Sequence, residues 1–291
     1  MNILLCGASG FIGRHIHAAL TAAGHTVVPA RLHPEPGAVA VNFNQDTTPA
    51  IWLPRLQGVD AVVNAVGVLR DRPLRPMQAV HTDAPKALFE ACAQAGVRRV
   101  IHVSALGIQG NPTRYALTKL AAEQHLLALN QTGSLDGVVL RPSVVFGRGG
   151  ASSELFVNLA RLPVWLLPQL MYQTRIQPIA VGDLAQVVVQ LLTPAHMGQT
   201  DVVACVGPEA LPLGDFLDVL RAKMGHKPAR RLTLPKGLTH LSARMGDVIP
   251  ISPWCSETLA LLSQDNVAPV AQTQTLLGRP PMAPSQFNLK G

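Results

Sequence analysis

The chain has only four cysteines, Cys6, Cys92, Cys205 and Cys255, and no two lie close together. That scatter suggests neither a zinc site nor a disulfide framework, and Cys6 and Cys92 read as small buried hydrophobes. Charge is scarce as well, at 14% of residues, while 48% are hydrophobic. Such a composition excludes disorder and leaves apolar surface for a partner or substrate. Long apolar runs are missing: residues 155–171 come nearest, and Arg161, Pro163 and Pro168 interrupt them. No transmembrane segment is expected. A positively charged lead-in is absent before the first apolar stretch at Ile3, so the expected location is cytoplasmic. Finally, no Asp or Glu occurs before Glu35.

The formal net charge is nevertheless +7, with Arg221, Lys223, Lys227, Arg230, Arg231, Lys236 and Arg244 clustered in sequence. No aromatic residue is interleaved there to stack on bases, so the expectation is a solvated basic face and no nucleic acid partner. Attraction to an acidic substrate, a membrane surface or a protein complex stays open.

What is present is organised around residues 2–16, NILLCGASGFIGRHI. Ile3, Leu4 and Leu5 suit a strand buried on both faces, and Gly7, Gly10 and Gly13 follow at a spacing of three. Gly7 permits the turn off the strand, Gly10 lets backbone approach a pyrophosphate, and Gly13 lets the following helix pack on the sheet. That helix directs its free N–H groups at the phosphates, with Ser9, Phe11, Ile12 and Arg14 as further expected cofactor contacts. A helix over 11–23 stops at Gly24, and a second strand over 26–30 ends before Arg31. At this position an acid would hold the 2′-hydroxyl of NAD and an arginine the 2′-phosphate of NADP. Arg31, helped by Arg14, therefore favours NADP(H) over NAD(H).

Further strands are expected over 39–43, with Asn42 or Phe43 near the adenine, and over 59–65. The latter ends at Ala65, Val66 and Gly67, small enough for backbone to lie against the ribose. A helix over 77–95, a strand over 100–103 and a helix over 113–127 continue the βαβ alternation. His102 reads as a packed sheet residue, since no ligand-type residue follows at a metal spacing; no metal is expected. Tyr115 and Lys119 are four apart on one helical face. An ammonium near the phenol favours the phenolate and brings its proton exchange towards neutral pH, which suits acid/base work beside a nicotinamide.

The segments GASGFIG, NAVG, VSALG, YALTK and RPSVVFG together resemble an extended, atypical short-chain dehydrogenase/reductase over roughly the first half of the chain. RPSVVFG followed by TRIQPIAVGDLAQVVVQLL, and later ETLALLSQDNVAP, are similar to the branch holding the 39-kilodalton NADPH-binding subunit of respiratory complex I. The resemblance implies Tyr115 and Lys119 as catalytic, Lys119 also on the nicotinamide ribose, and Pro142 and Ser143 beside the nicotinamide. It places a catalytic Ser where this chain has Ala105, with Ser104 one residue earlier. On a regular strand Ser104 would point the other way; if the turn has begun, it reaches.

The expected fold is α/β, a doubly wound parallel Rossmann sheet with a smaller C-terminal substrate lobe. Residues 1–148 form its core, completed by 176–206, with 149–175 and 207–291 as the substrate or partner lobe. The apolar stretch 162–171 could wall a substrate pocket, lie on a membrane or pack under that lobe, and Asp183 is expected to cap a helix over 183–192. Three functions fit: an NADP(H)-dependent oxidoreductase on an unidentified carbonyl or hydroxyl substrate, a non-catalytic NADP(H)-binding assembly or sensor protein, and a sugar-nucleotide epimerase or dehydratase. A homodimer is the default association.

Overall fold

Ile3, Leu4, Leu5 and Cys6 have no solvent-accessible surface, as a strand with layers on both faces requires. The computed structural model describes residues 1–72, 75–248, 256–262 and 264–289. The first half runs β1 (Asn2–Cys6), α1 (Phe11–Ala22), β2 (Thr26–Arg31), β3 (Val39–Ala40), α2 (Pro49–Trp52) and β4 (Ala61–Asn64). It continues with α3 (Ala84–Ala95), β5 (Arg99–Val103), α4 (Arg114–Gln131) and β6 (Asp136–Pro142). There follow β7 (Val145–Phe146), α5 (Ala151–Arg161), β8 (Val164–Pro168), α6 (Gln169–Gln173), β9 (Arg175–Ile176), β10 (Ile179–Ala180) and α7 (Val181–Leu191). The chain closes with β11 (Val202–Cys205), β12 (Leu211–Pro212), α8 (Leu213–Lys223), β13 (Arg230–Leu234), α9 (Lys236–Val248), α10 (Ser256–Leu261) and α11 (Ala271–Leu277).

Seven strands pair in parallel in the order β11-β6-β5-β4-β1-β2-β3. The chain winds outward from β1 to β3, then returns to the other side of β1 at β4. The expected doubly wound Rossmann sheet is therefore present, with its switch point between β1 and β4. Alternate residues feed two cores. Ile3 and Leu5 meet Ile16, Leu20, Leu184 and Val188 on one face, while Leu4 meets Trp52, Leu88 and Phe89 on the other. A third cluster, around Phe146, Phe156, Trp165, Phe216 and Phe287, holds the second lobe.

Several local expectations are corrected. The third strand stops at Ala40, because Asn42 and Asn44 enter a turn: the Asn42 N–H donates to Asp46 Oδ2 at 2.6 Å and Asn42 Oδ1 accepts the Asn44 N–H at 3.1 Å. The helix expected over 77–95 opens with a π-helical turn, Gln78–Asp83. Within the span 176–206 expected to complete the core, β10 does not join the main sheet and pairs with β7 instead, while β11 does join it. Asp183 is not a cap, since α7 starts two residues earlier with Ala180 as its N-cap. The Asp183 carboxylate, 2% exposed, instead accepts from Arg279 Nη2 at 2.5 Å and the Met282 N–H at 2.6 Å.

The apolar stretch 162–171 forms β8 and α6, with Trp165 turned inward and Val164 and Leu166 outward. Two cations of the basic cluster have structural partners, and one of them is buried. Arg221 is buried, donating to the carbonyls of Ala160 at 2.8 Å and Leu162 at 2.9 Å, and Arg231 pairs with Asp215 and Asp218. Cys6, Cys92 and Cys205 are buried free thiols; Cys255 lies outside the described residues. Among those residues no helix is long and apolar enough to cross a membrane.

Candidate active site

The glycine turn sits at the switch point. Gly7 leaves β1 at φ +84°, a conformation that side chains disfavour, and a Cβ there would lie 2.9 Å from the Ala65 carbonyl carbon. A Cβ on Gly13 would lie 1.9 Å from Gly7 O, so α1 can approach the turn only through glycine. The helix starts at Gly10 with no side-chain cap, which leaves its first N–H groups to a ligand. On the neighbouring strand end, Asn64 Oδ1 accepts the Val66 N–H at 3.1 Å and shapes the Ala65–Gly67 turn. These features fit an elongated anion such as a dinucleotide pyrophosphate.

Gly10, Phe11, Ile12, Ala65, Val66, Gly67, Ser104, Tyr115, Lys119 and Pro142 line one cavity of about 830 Å³. Gly7, Ser9, Gly13, Arg14, Arg31 and Asn42 lie outside its lining. Helix α4 is begun by Thr113, whose Oγ1 accepts the Ala116 N–H at 3.2 Å, and this sets Tyr115 and Lys119 one turn apart on the cavity side. Lys119 is 3% exposed, and its Nζ donates to Val103 O at 3.0 Å and Val66 O at 3.5 Å. Burial pulls its ammonium down to about 8, partly opposed by the buried carboxylate of Glu123.

Burial pushes the Tyr115 phenol up to about 12, against the sequence expectation of a lowered value. The cause is desolvation of the phenolate. Among the described residues the Tyr115 hydroxyl makes no hydrogen bond, and the buried Ser104 Oγ has no partner either. The chain's other tyrosine differs: the Tyr172 hydroxyl lies 3.2 Å from each of the Trp165 and Leu232 carbonyls. Strand β5 ends at Val103, the Ser104 and Leu106 N–H groups still donate to Leu140 O at 2.7 Å and Pro142 O at 2.9 Å of the neighbouring chain segment, and the turn follows at Leu106–Gly107; both Ser104 and Ala105 line the cavity.

The sequence pattern assigned no contact at the site to several residues that the structure brings there. His81, in the π-helical turn, accepts the Val68 N–H at Nε2 (2.9 Å) and meets Thr118 Oγ1 through Nδ1 (3.0 Å). Since Nε2 accepts, the proton sits on Nδ1. Burial and the Lys119 ammonium hold the ring neutral, with its pKa near 2, and its edge packs on Tyr115 with centroids 5.3 Å apart. From the distant C-terminal segment, Glu257 Oε1 accepts the Tyr115 N–H at 3.1 Å. Asn266 Nδ2 donates to Leu106 O at 2.7 Å, and Ser143 Oγ donates to Asn266 O at 3.0 Å. Spacing could not reveal contacts made across more than a hundred residues. His102 packs as expected, its Nδ1 3.2 Å from Asn64 Nδ2.

Of the residues expected to choose the cofactor, Arg31 ends β2 beside the edge strand β3, and Arg14 lies in the first turn of α1. Arg31 pairs through Nη1 with Glu35 at 3.3 Å, and its buried Nε has no partner. Arg14 donates from Nη2 to Arg148 O at 3.1 Å and lies 6.0 Å over the Phe11 ring. Asn42 is engaged in its own turn, as described above.

Known proteins share sequence or fold with this chain. Ceramide reductase of Caulobacter vibrioides is 28% identical over 69% of this chain and 63% of its own length, so the match spans less than two thirds of that relative. The rat mitochondrial NADH dehydrogenase [ubiquinone] 1 alpha subcomplex subunit 9 is 24% identical over 86% of this chain and 68% of its own. The crystal structure of human epimerase family protein SDR39U1 with NADPH superposes with a TM-score of 0.70 over 98% of this chain and 96% of that one, at 19% identity. Residues 3–203, more than half of the sequence, match the NAD dependent epimerase/dehydratase family, and the chain belongs to that family.

Proposed function

We propose that this chain is an NADP(H)-dependent oxidoreductase that interconverts a carbonyl and a hydroxyl, with Tyr115 as acid/base and Lys119 as its electrostatic partner. The observation that carries the reading is that the hydroxyls of Tyr115 and Ser104, both without intramolecular partners among the described residues, line the cavity onto which the glycine turn opens. When bound, a nicotinamide dinucleotide supplies the hydride a carbonyl carbon takes up and is itself oxidised, or accepts hydride in the reverse reaction. What this chain supplies is the proton and the field around it. A phenol held near 12 is protonated at neutral pH, so Tyr115 donates to the oxygen of a carbonyl undergoing reduction, and solvent restores the proton. Ser104 Oγ orients that oxygen by a second hydrogen bond. Lys119, held by two backbone carbonyls, keeps a positive charge beside the site and contacts the ribose. The Gly10–Ile12 backbone binds the pyrophosphate, with Gly7, Ser9, Gly13 and Arg14 supporting that turn, and Val66 and Pro142 flank the ring end. Arg31, with its unpartnered Nε, takes the 2′-phosphate. The names of the similar proteins, a reductase and a protein crystallised with NADPH, favour this reading. Tyr115→Phe is expected to abolish NADPH-dependent reduction and leave NADPH affinity within about twofold; retained turnover in that variant would sink the assignment.

A second reading, a non-catalytic NADP(H)-binding assembly or sensor protein, is favoured by Ala105 standing where the family's Ser is expected and by similarity to a complex I subunit. Stable co-purification with a larger complex, together with NADPH binding and no turnover, distinguishes it. An epimerase would instead retain tightly bound NAD through purification.

A further inference from the structure

The cavity is far larger than a nicotinamide and ribose need, and its two ends differ in chemistry. At the strand ends it is backbone, glycine and hydroxyl. At the far end, α5, β8, α6, β13 and the chain beyond α9 contribute Leu155, Leu159, Leu167, Met171, Leu234 and Leu262. Lys119 is the sole cation among the described lining residues, and it is held by the Val66 and Val103 carbonyls on the cofactor side. Of the residues outside the described structure, 73–74, 249–255, 263 and 290–291, Lys290 is the one Lys, Arg or His by sequence. A sugar nucleotide would bring a diphosphate with two negative charges into this far end. Burying it without a cation costs more than its contacts return.

The apolar wall does not stop at the interior. Leu69 and Leu166 line the cavity and are also 54% and 57% exposed, so it reaches the surface as a hydrophobic mouth. Leu166 faces outward in register with Leu232 of β13, itself 39% exposed. Isolated exposed leucines are ordinary, but these continue a concave apolar lining.

We infer that the substrate is an uncharged carbonyl compound, or the matching alcohol, carrying one long alkyl or acyl chain: its oxygen lies at Tyr115 and Ser104, and its chain fills the far end and leaves by Leu166. This rests on the oxidoreductase reading for the reacting end, while the chain site stands on the cavity alone.

Two measurements separate these layers. In the first, N-phenyl-1-naphthylamine, an uncharged apolar fluorophore, is titrated into NADPH-saturated protein and displaced by methyl 3-oxohexadecanoate or by UDP-glucose. Saturable binding displaced by the ester alone is expected, with Leu166→Glu weakening both apolar ligands about tenfold and leaving NADPH affinity unchanged. In the second, NADPH oxidation is followed with 2-alkanones from butanone to 2-tetradecanone. Each methylene is expected to raise kcat/KM about threefold until the cavity is filled. Absence of fluorophore binding, displacement by UDP-glucose, or turnover confined to short ketones or sugar nucleotides overturns the chain site; in the last case the oxidoreductase reading survives. Displacement by the ester with no NADPH oxidation by any carbonyl supports the chain site and refutes the oxidoreductase reading.

Discussion

Replacing Gly13 by alanine tests the cofactor turn with the smallest side chain available. A Cβ there would lie 1.9 Å from Gly7 O, 2.6 Å from Gly7 C and 3.1 Å from Ala8 Cα, all backbone atoms that no rotamer change can move. Restoring even a tight contact requires the turn or α1 to retreat by about 1 Å. The turn cannot yield freely, because Gly7 already closes on Ala65 from its other side and β1 is held between β2 and β4. Alanine recovers up to about 1 kcal/mol of helix propensity, whereas forced overpacking costs about 1–3 kcal/mol or more. The variant should therefore be less stable in urea by about 1–2 kcal/mol. Its NADPH affinity, read by nicotinamide fluorescence, should fall at least tenfold, because the displaced N–H groups no longer converge on one ligand. Gly182→Ala provides the matched control: Gly182 lies in the first turn of α7, and a Cβ there meets nothing within 4 Å. It should stabilise the fold by about 0.4–1 kcal/mol and leave NADPH binding unchanged. Native NADPH affinity in Gly13→Ala would refute the reasoning.

Three further outcomes follow. Lys119 titrates near 8 in the fold and near 10.5 when unfolded, so between those values the unfolded chain holds the extra proton and stability rises with pH. Lys119→Met should remove that rise, so that urea unfolding at pH 7 and pH 10 shows the native protein gaining about 2 kcal/mol relative to the variant. Asp183→Ala should cost about 2 kcal/mol and speed hydrogen exchange in residues 279–289, because the Met282 N–H loses its acceptor; Arg279→Ala, with a side chain 51% exposed, should cost less than about 1 kcal/mol. Arg31→Ala should weaken NADPH about tenfold or more while NADH affinity stays level, measured by fluorescence titration.

The sequence conveyed what local pattern controls. A buried strand followed by Gly7, Gly10 and Gly13 can hardly fold otherwise, and the i,i+4 spacing of Tyr115 and Lys119 set them on one helical face before any tertiary contact was known. Non-local docking was hidden. Nothing near Asp183 announces Arg279, and nothing near Tyr115 announces Glu257 or Asn266, because these contacts join segments 96, 142 and 160 residues apart in their hydrogen bonds. His81 escaped notice because its π-helical turn breaks the 3.6-residue period by which a helix face is read. The Tyr115 phenol moved opposite to expectation because spacing reveals the neighbouring ammonium but not the depth of burial. In the basic cluster the sequence hid one burial: Arg221 is taken up by the Ala160 and Leu162 carbonyls, while Lys223, Lys227, Arg230, Arg231 and Arg244 are exposed.

The central claim, a dinucleotide-dependent redox site at the switch point between β1 and β4, is tested most directly by titrating the native protein with NADPH and NADH while following nicotinamide fluorescence. The account predicts saturable binding of both at one site, with NADPH the tighter by about tenfold or more and displaced by NADP⁺. If neither nucleotide binds, the glycine turn is an ordinary loop, and the assignment of Tyr115 and Lys119 to redox chemistry is contradicted.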